Sequence, residues 1–188
     1  MNRGRFIVLS SPSGCGKTTI IERLLRRNND FVYSLSATTR PPREDEKNGI
    51  DYWFLTEDEF LQKRDNGDLL EWEEVYQCFY GTPKEPAEEA VSGGFQVIFD
   101  LDTVGALKLK KKYPEALLIF ILPPSMEVLG RRLRERRSES ERQLQIRLTE
   151  AKRECEQADK FDYKIINDDL EEAVIAIERI IRNTIAGR

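Results

Sequence analysis

The stretch SSPSGCGKTT at residues 10–19 decides the fold class because of the residues on either side of it. It follows the continuous apolar run FIVLS at residues 6–10, which is typical of a strand covered on both faces of a sheet. It precedes residues 18–27, where apolar side chains recur at helical spacing. A strand that passes through small residues into a helix is the first unit of a parallel α/β sheet.

The remainder of the chain repeats this alternation. Apolar runs predict three more strands, at residues 95–100, 116–122 and 163–166. Amphipathic stretches predict helices at residues 103–112, 125–136, 140–159 and 169–183. Strands that alternate with helices in this way predict a doubly wound parallel sheet of the α/β class.

Residues 34–91 break the pattern. They contain Pro41-Pro42, the turn signal Asn48-Gly49, an alternating run at 50–55 and an acidic helix at 56–66. We therefore predict an α+β subdomain at residues 34–91, inserted in a core made of residues 1–33 and 92–188. The insert is expected to move relative to the core.

Composition excludes several classes of protein. The 188 residues carry 30 basic and 34 acidic side chains, a net charge of −4, which argues against a nucleic-acid partner. The absence of histidine excludes imidazole catalysis, Ser-His triads and most zinc and haem sites. Three cysteines without a CxxC pair argue against a disulfide framework and fit a reducing compartment.

The apolar runs are also too short for a membrane. The longest, at residues 116–122, stops at Pro123-Pro124, far short of the ~20 residues of a spanning helix. The run at 6–9 is too short for the core of a signal peptide. We expect a cytoplasmic protein without a membrane partner, either a monomer or a homodimer.

Residues 11–18 end as a Walker A phosphate-binding loop, Gly16-Lys17-Thr18. Small residues let successive backbone N–H groups converge on phosphate oxygens at a helix N-terminus. Lys17 adds a charge toward the β- and γ-phosphates, and the Thr18 hydroxyl can ligate Mg²⁺. The expected ATP contacts in this loop are Ser11, Pro12, Ser13, Gly14, Cys15, Gly16, Lys17 and Thr18.

The loop departs from the Walker pattern at its first position, where Ser11 replaces glycine. The substitution would cost about 1–3 kcal/mol if this residue needed a positive φ, and almost nothing otherwise. A GTPase would use the same loop, and residues 102–105 spell its D-x-x-G motif. The chain, however, lacks the Asn-Lys-x-Asp motif that reads guanine in GTPases, and a glutamine suitably placed to orient water.

The insert carries a second anion site. Arg40 and Arg43, stiffened by two prolines, present a fork for a dianionic phosphate, to which two tyrosine hydroxyls could also donate. Glu71 could accept hydrogen bonds from the N1–H and N2–H₂ groups of guanine, while hydroxyls of Ser36 and Thr82 donate to O6. Adenine lacks this donor pair and would leave a buried carboxylate unpaired.

In this order the motifs resemble those of the guanylate kinase family over nearly the whole chain. They are the phosphate loop, S-x-T-T-R-x-P-R from residue 36, N-G-x-D-Y from 48, E-W…Y-G-T at 71–82, D-x-D at 100–102, I-L-P-P-S at 121–125 and N-D-D-L at 167–170. The resemblance implies phosphorylation of GMP, and of dGMP, to GDP by ATP with Mg²⁺. It also implies a P-loop core, an insert that binds the monophosphate and a helical lid at about residues 131–147, where seven arginines stand against three glutamates.

Roles for single residues follow from the same resemblance. The residues implied for the acceptor phosphate are Arg40, Arg43, Tyr52 and Tyr80, and those for guanine are Ser36, Glu71, Thr82 and Asp102. The catalytic set is Lys17, Arg43 and the lid residues Arg136 and Arg147. Asp100, together with Thr18, is implied for Mg²⁺, while Asn167 and Asp168 are implied beside adenine.

Besides Ser11, the chain departs from the family pattern at Gln77-Cys78-Phe79, at Val104 and at Arg137-Ser138. None of these removes a charged group that phosphoryl transfer needs, so we expect an active enzyme. A catalytically silent module that binds phosphorylated peptides or proteins is one alternative, but it would be expected to lose Lys17 or the lid arginines. A kinase for another small acceptor is a second, and it would be expected to lose Glu71 or Tyr80.

Overall fold

The structure, a computed structural model, describes residues 4–136 and 141–187, with Arg136 described for its backbone alone. The strands are β1 (Arg5–Ser10), β2 (Phe31–Tyr33), β3 (Ala37–Thr38), β4 (Trp53–Phe54), β5 (Leu69–Val75), β6 (Cys78–Pro83), β7 (Gln96–Asp100), β8 (Leu117–Leu122) and β9 (Tyr163–Ile166). The helices are α1 (Lys17–Arg27), α2 (Glu57–Asn66), α3 (Lys84–Ser92), α4 (Thr103–Lys112), α5 (Met126–Arg136), α6 (Glu141–Cys155) and α7 (Leu170–Ala186), with a 3-10 helix at Ala158–Lys160.

Five strands form a parallel sheet in the order β2-β7-β1-β8-β9. In its register, Leu9 lies opposite Asp100, and Ser10 lies opposite Phe120. The three central strands therefore end at one edge of the sheet. In open α/β sheets this carboxyl edge is where ligands bind.

Both faces of this sheet are buried, as the continuous apolar runs predict. Ile7 and Leu9 pack on one side with α1, α5, α6 and α7. Phe6 and Val8 point to the other side and pack with α3 and α4. The parallel α/β fold class is confirmed, and its central strands read as unbroken hydrophobic runs because helices cover both faces.

Four strands form the smaller sheet, in the order β4-β3-β6-β5. The β3–β4 pair is parallel, whereas β3–β6 and β5–β6 are antiparallel. Helix α2 covers this sheet through Phe60 and begins at a capping box between Thr56 and Glu59. Helix α3, also within residues 34–91, packs instead on the large sheet through Ala87 and Val91.

The predicted helices at 18–27, 56–66, 103–112, 125–136 and 169–183 are confirmed to within three residues at each end. The prediction at 140–159 was too long, because α6 ends at Cys155 and a separate 3-10 turn follows. The strand expected at 50–55 shortens to Trp53–Phe54, since turn hydrogen bonds to Lys47 hold residues 50 and 51. The elements β2, β3, β5, β6 and α3 were not predicted.

Within the described ranges, no helix combines the length and the apolar character that crossing a membrane requires.

The hairpin of β5 and β6 turns on two residues with unfavourable backbone angles. Tyr76 and Gln77 have φ of 49° and 65°, in the left-handed region that favours glycine and asparagine. Tyr76 is 89% exposed, so burial of its side chain gives little compensation. The turn that departs from the family pattern is therefore formed, but it is strained.

We expect Gln77→Gly to stabilise the protein. Removing the left-handed penalty of about 1–2 kcal/mol outweighs the added freedom of the unfolded chain, which leaves a gain of about 0.5–1 kcal/mol. For a domain of this size the midpoint of thermal unfolding should rise by about 2 °C. Gln77→Ala, which removes the side chain but keeps the Cβ atom, is the matched control and should show no gain. An equal gain in both variants would show that the backbone angle is not the cause.

Candidate active site

The phosphate loop between β1 and α1 depends on two glycines. Gly14 and Gly16 have φ of 90° and 85°, so their N–H groups can turn toward the centre of the loop. Beneath it, the Asn167 side-chain amide donates to the Cys15 carbonyl at 2.7 Å. Among the described residues, positive φ outside glycine occurs at Tyr76 and Gln77, so Ser11 sits in the first position without strain.

Cys15 belongs to the hydrophobic core beneath the phosphate loop. It is completely buried, and burial, followed by the nearby Cys155, raises its pKa to about 12. The thiol is therefore neutral at physiological pH, and Cys15 serves as a small filler under the loop.

Lys17, the first residue of α1, forms an ion pair with Asp100 at the end of β7. Its ammonium group also lies 3.5 Å from the Leu101 carbonyl. Thr18 follows in the first turn of the helix with its side chain exposed. The structure thus brings the predicted lysine and carboxylate together at the carboxyl edge of the large sheet, with Thr18 next to the lysine in the chain.

The oxygen atoms of Thr18 and Asp100 fit a hard divalent cation. The described residues contain no group of three or more side chains suited to bind a metal. A site with a single carboxylate matches Mg²⁺, which keeps several waters and is held mainly by substrate phosphates.

In the insert, Arg40 is held on several sides. Its guanidinium binds the Glu46 carboxylate through two parallel hydrogen bonds of 2.9 Å and lies 5.6 Å from the centre of the Tyr52 ring. A hydrogen bond with Tyr80 adds to that of Glu46 in raising the pKa of Arg40. Arg43 lies in the same loop and is exposed. All four predicted phosphate ligands therefore lie on one loop and its facing strands.

The predicted guanine contacts start from a buried carboxylate. Glu71 on β5 is 7% exposed and accepts a hydrogen bond of 2.6 Å from the Thr82 hydroxyl on β6. Burial raises the pKa of Glu71, although the Thr82 bond partly opposes the shift. Asp102 caps α4 by accepting from the Gly105 N–H at 2.7 Å, and Ser36 directly precedes β3.

Two residues connect the donor and acceptor sites. The pKa of the Tyr52 hydroxyl is raised, first by burial and then by the negative charge of Asp100. Asp100 is also the partner of Lys17. Tyr52, one of the predicted acceptor-phosphate residues, therefore shares Asp100 as a neighbour with the Walker lysine.

The remaining predicted residues belong to the segment of the expected lid and to the end of β9. The side chain of Arg136 and the departures at Arg137 and Ser138 lie outside the described residues. Arg147 is exposed on α6, and Asp168 is exposed after β9. Asn167 is buried beneath the loop and borders a cavity of about 250 Å³ that is also lined by Gly14, Gly16 and Arg132.

Sequence reasoning missed several residues around these sites. Arg132 donates to the Asn167 carbonyl at 3.0 Å, and Glu46 holds Arg40. Burial raises the pKa of Glu154 on α6, and the charge of Lys17 opposes this shift while that of Asp102 adds to it. Burial and then the nearby Asp102 carboxylate raise the pKa of Glu73. A signal for Glu73 was available, because it stands two residues from Glu71 and so shares its face of the strand.

Comparison with known proteins agrees with this geometry. The family model for guanylate kinase matches residues 3–184. A guanylate kinase of Wolbachia sp. subsp. Brugia malayi is 46% identical over 96% of this chain and 93% of its own length. One from Synechococcus sp. (strain JA-3-3Ab) is 42% identical over 95% of this chain and 82% of its own length.

Solved structures show the same relationship. The guanylate kinase of Anaplasma phagocytophilum has a TM-score of 0.79 at 38% identity, over 97% of this chain and 86% of its own. The SH3-kinase fragment of tight junction protein 3 has a TM-score of 0.51 at 12% identity, over 98% of this chain and 59% of its own. The second likeness concerns the fold alone.

The carboxyl of Glu73 should make stability depend on pH. Burial, followed by the charge of Asp102 and the hydrogen bond to it, raises its pKa from 4.5 to about 7, with Lys108 opposing and Glu71 adding to the shift. Folding thus favours the neutral form, and this contribution is complete below pH 4.5 and lost as the pH rises through about 7. Glu73→Gln, which stays neutral, should equal the parent at pH 5 and be more stable at about pH 8.

The full pKa shift of Glu73 would correspond to about 3 kcal/mol in the free energy of unfolding. Because the side chain is partly exposed, we expect a contribution on the order of 1 kcal/mol. The midpoint of thermal unfolding should therefore differ by about 3 °C at high pH and by much less at low pH. Glu74→Gln, an exposed change on the same strand, is the control and should show no pH-dependent difference. A Glu73→Gln difference that is constant with pH would contradict the assignment.

Proposed function

The chain belongs to the guanylate kinase family, and we propose that it transfers the γ-phosphoryl group of ATP to GMP with the residues described above. The donor nucleotide binds at the loop of residues 11–18, and the acceptor binds in the insert. The insert at 34–91 moves against the core except for α3, which packs on the large sheet, and the segment at about 131–147 acts as the lid. GMP is the acceptor and GDP the product.

One observation supports this proposal above the others. Asp100 forms an ion pair with Lys17 and also acts on the hydroxyl of Tyr52. The lysine is assigned to the donor phosphates, and the tyrosine to the acceptor phosphate. Direct transfer requires the two phosphate sites to lie close together, and a carboxylate that neighbours a residue of each set supports that arrangement.

Positioning and charge account for the chemistry. The transferred phosphoryl group needs little covalent help, since its transition state is stabilised by fixed positive charge. N–H groups of residues 14–18 and the Lys17 ammonium would hold the β- and γ-phosphates. Arg40, Arg43, Tyr52 and Tyr80 would hold the GMP phosphate in line with them. Closure would exclude water and so favour transfer over hydrolysis.

Arginines of the lid add positive charge at the transferring phosphoryl group. Arg136 and Arg147 are proposed to reach the transferring group when the lid closes, and Asn167 and Asp168 to lie beside adenine. Mg²⁺, when bound with ATP, would offset the negative charge of the phosphates. Thr18 and Asp100 are the residues of this chain that would hold it.

The base is selected by Glu71. Its burial makes an unpaired charge costly, and guanine supplies the N1–H and N2–H₂ donors that relieve it. Thr82, Ser36 and Asp102 complete this part of the site. We propose that dGMP is also an acceptor, because none of these contacts involves the 2′-hydroxyl. A cytoplasmic enzyme without a nucleic-acid partner is consistent with these substrates.

A coupled assay of ADP formation with ATP, Mg²⁺ and each of GMP, AMP, CMP and UMP tests the function. Turnover with GMP well above that with the other three is the expected result. A silent binding module, which the intact Lys17, Arg40 and Arg43 do not favour, would show no turnover and would bind a phosphorylated peptide instead.

Lys17→Ala should abolish transfer and leave GMP binding largely intact. The lysine contacts the donor side, so kcat should fall by about 10²–10³-fold, as for loss of one transition-state charge. GMP affinity, measured by calorimetry, should change by less than about threefold. Lys111→Ala, an exposed lysine on α4, should match the parent in both measurements. A parallel loss of kcat and of GMP affinity would mean that the two sites are wrongly divided.

Glu71→Gln should weaken GMP selectively. The amide keeps the size of the side chain but presents one acceptor instead of two, so KM for GMP should rise by about 10–100-fold. The KM for ATP should not move, and the preference for GMP over AMP should shrink. Glu74→Gln on the same strand serves as the control. If discrimination against AMP were unchanged, Glu71 would not be the residue that reads the base.

A further inference from the structure

We infer that Glu46 is a positioning residue for the acceptor phosphate, which holds Arg40 and its loop in the conformation that receives GMP. This inference rests on the proposed function, in which Arg40 is one of the phosphate ligands. Glu46 lies in the acidic run Glu44-Asp45-Glu46. From the sequence alone, such a run indicates a solvent-exposed turn.

The contacts of Glu46 differ from those of a solvated turn. Its carboxylate meets Arg40 in the bidentate arrangement, with both hydrogen bonds at 2.9 Å. The same carboxylate accepts from the Arg43 N–H at 2.8 Å, and the Glu46 N–H donates to the Arg43 carbonyl at 3.1 Å. The Glu46 side chain therefore connects the Arg40 guanidinium with the backbone of Arg43.

The two partners are also shielded from water. The Arg40 and Glu46 side chains are only 18% and 16% exposed. The Arg40 guanidinium lies beside two aromatic rings, 5.6 Å from the centre of Tyr52 and 5.8 Å from that of Phe54. Arg40 also donates to the Pro41 carbonyl at 2.7 Å. The side chain is therefore fixed before any nucleotide arrives.

Arg40 keeps donors for a ligand in this arrangement. A guanidinium has five N–H groups, and the bonds to Pro41 and Glu46 engage three of them. The remainder can serve the Tyr80 hydroxyl and a phosphate oxygen. Glu46 thus orients the guanidinium without occupying all of it.

Two effects of Glu46 on GMP binding have opposite signs. A carboxylate near a dianionic phosphate repels it, so removal of that charge alone would tighten binding. Loss of the carboxylate also frees a long arginine side chain that must then be ordered by the ligand. We expect the second effect to dominate, because the ion pair is bidentate and shielded whereas the repulsion is offset by the two arginine charges.

The test compares two acidic residues of one loop. Glu46→Ala should raise KM for GMP at least tenfold, while kcat changes by less than about threefold and KM for ATP is constant. Glu46→Gln, which retains one acceptor oxygen, should lie between the parent and the alanine variant. Glu44→Ala makes the same charge change at an exposed position and should leave KM for GMP unchanged or slightly lower.

A double-variant cycle separates positioning from general destabilisation. If Glu46 acts through Arg40, Glu46→Ala should have little further effect on KM in an Arg40→Ala background. An unchanged or lowered KM in both Glu46→Ala and Glu46→Gln would overturn the inference, as would additive effects in the cycle. A parent protein without GMP turnover would instead refute the proposed function. Should Glu46→Ala fail to fold, the isosteric Glu46→Gln carries the test.

Discussion

The ion pair between Lys17 and Asp100 is the interaction on which the candidate site depends. It can form because β1 and β7 are parallel neighbours, with Leu9 opposite Asp100, so both strands end at the same edge. The left-handed Gly14 and Gly16 then bring the chain back over that edge and start α1 at the lysine. The position of the donor-side lysine and carboxylate is thus set by the register of a buried sheet, which varies far less than a surface loop.

The two carboxylates of the insert are used in opposite ways. Glu46 is satisfied in the free protein by Arg40, which lowers its pKa and keeps it charged. Glu71 is left with one bond from Thr82 in a buried position, and its pKa is raised. A satisfied carboxylate rigidifies its surroundings, whereas a poorly satisfied one favours a ligand that brings N–H donors. The residues that bind the GMP phosphate are therefore ordered before GMP binds, whereas Glu71 distinguishes guanine from other bases.

Much of this arrangement could be predicted from local sequence patterns, for reasons that differ by element. Strands β1, β7 and β8 were recognisable because burial on both faces makes them continuous apolar runs. Strand β2 has three residues and α3 follows a proline directly, so neither carries enough periodicity to be recognised. Glu46 and Glu73 were missed because their partners Arg40 and Asp102 meet them through loop closure and tertiary packing. Spacing alone does not reveal such pairs.

A chain without histidine has to keep its neutral donors neutral and its charges paired by other means. Burial and the charge of Asp100 both raise the pKa of Tyr52, so its hydroxyl stays protonated and can donate to a phosphate. Arg40 cannot lose its proton at any physiological pH, and Glu46 raises its pKa further. Tyr52 and Arg40 therefore keep their protons near neutrality. Transfer at this site accordingly depends on how closely the two nucleotides are brought together, since no proton has to be moved by the residues that hold the phosphate.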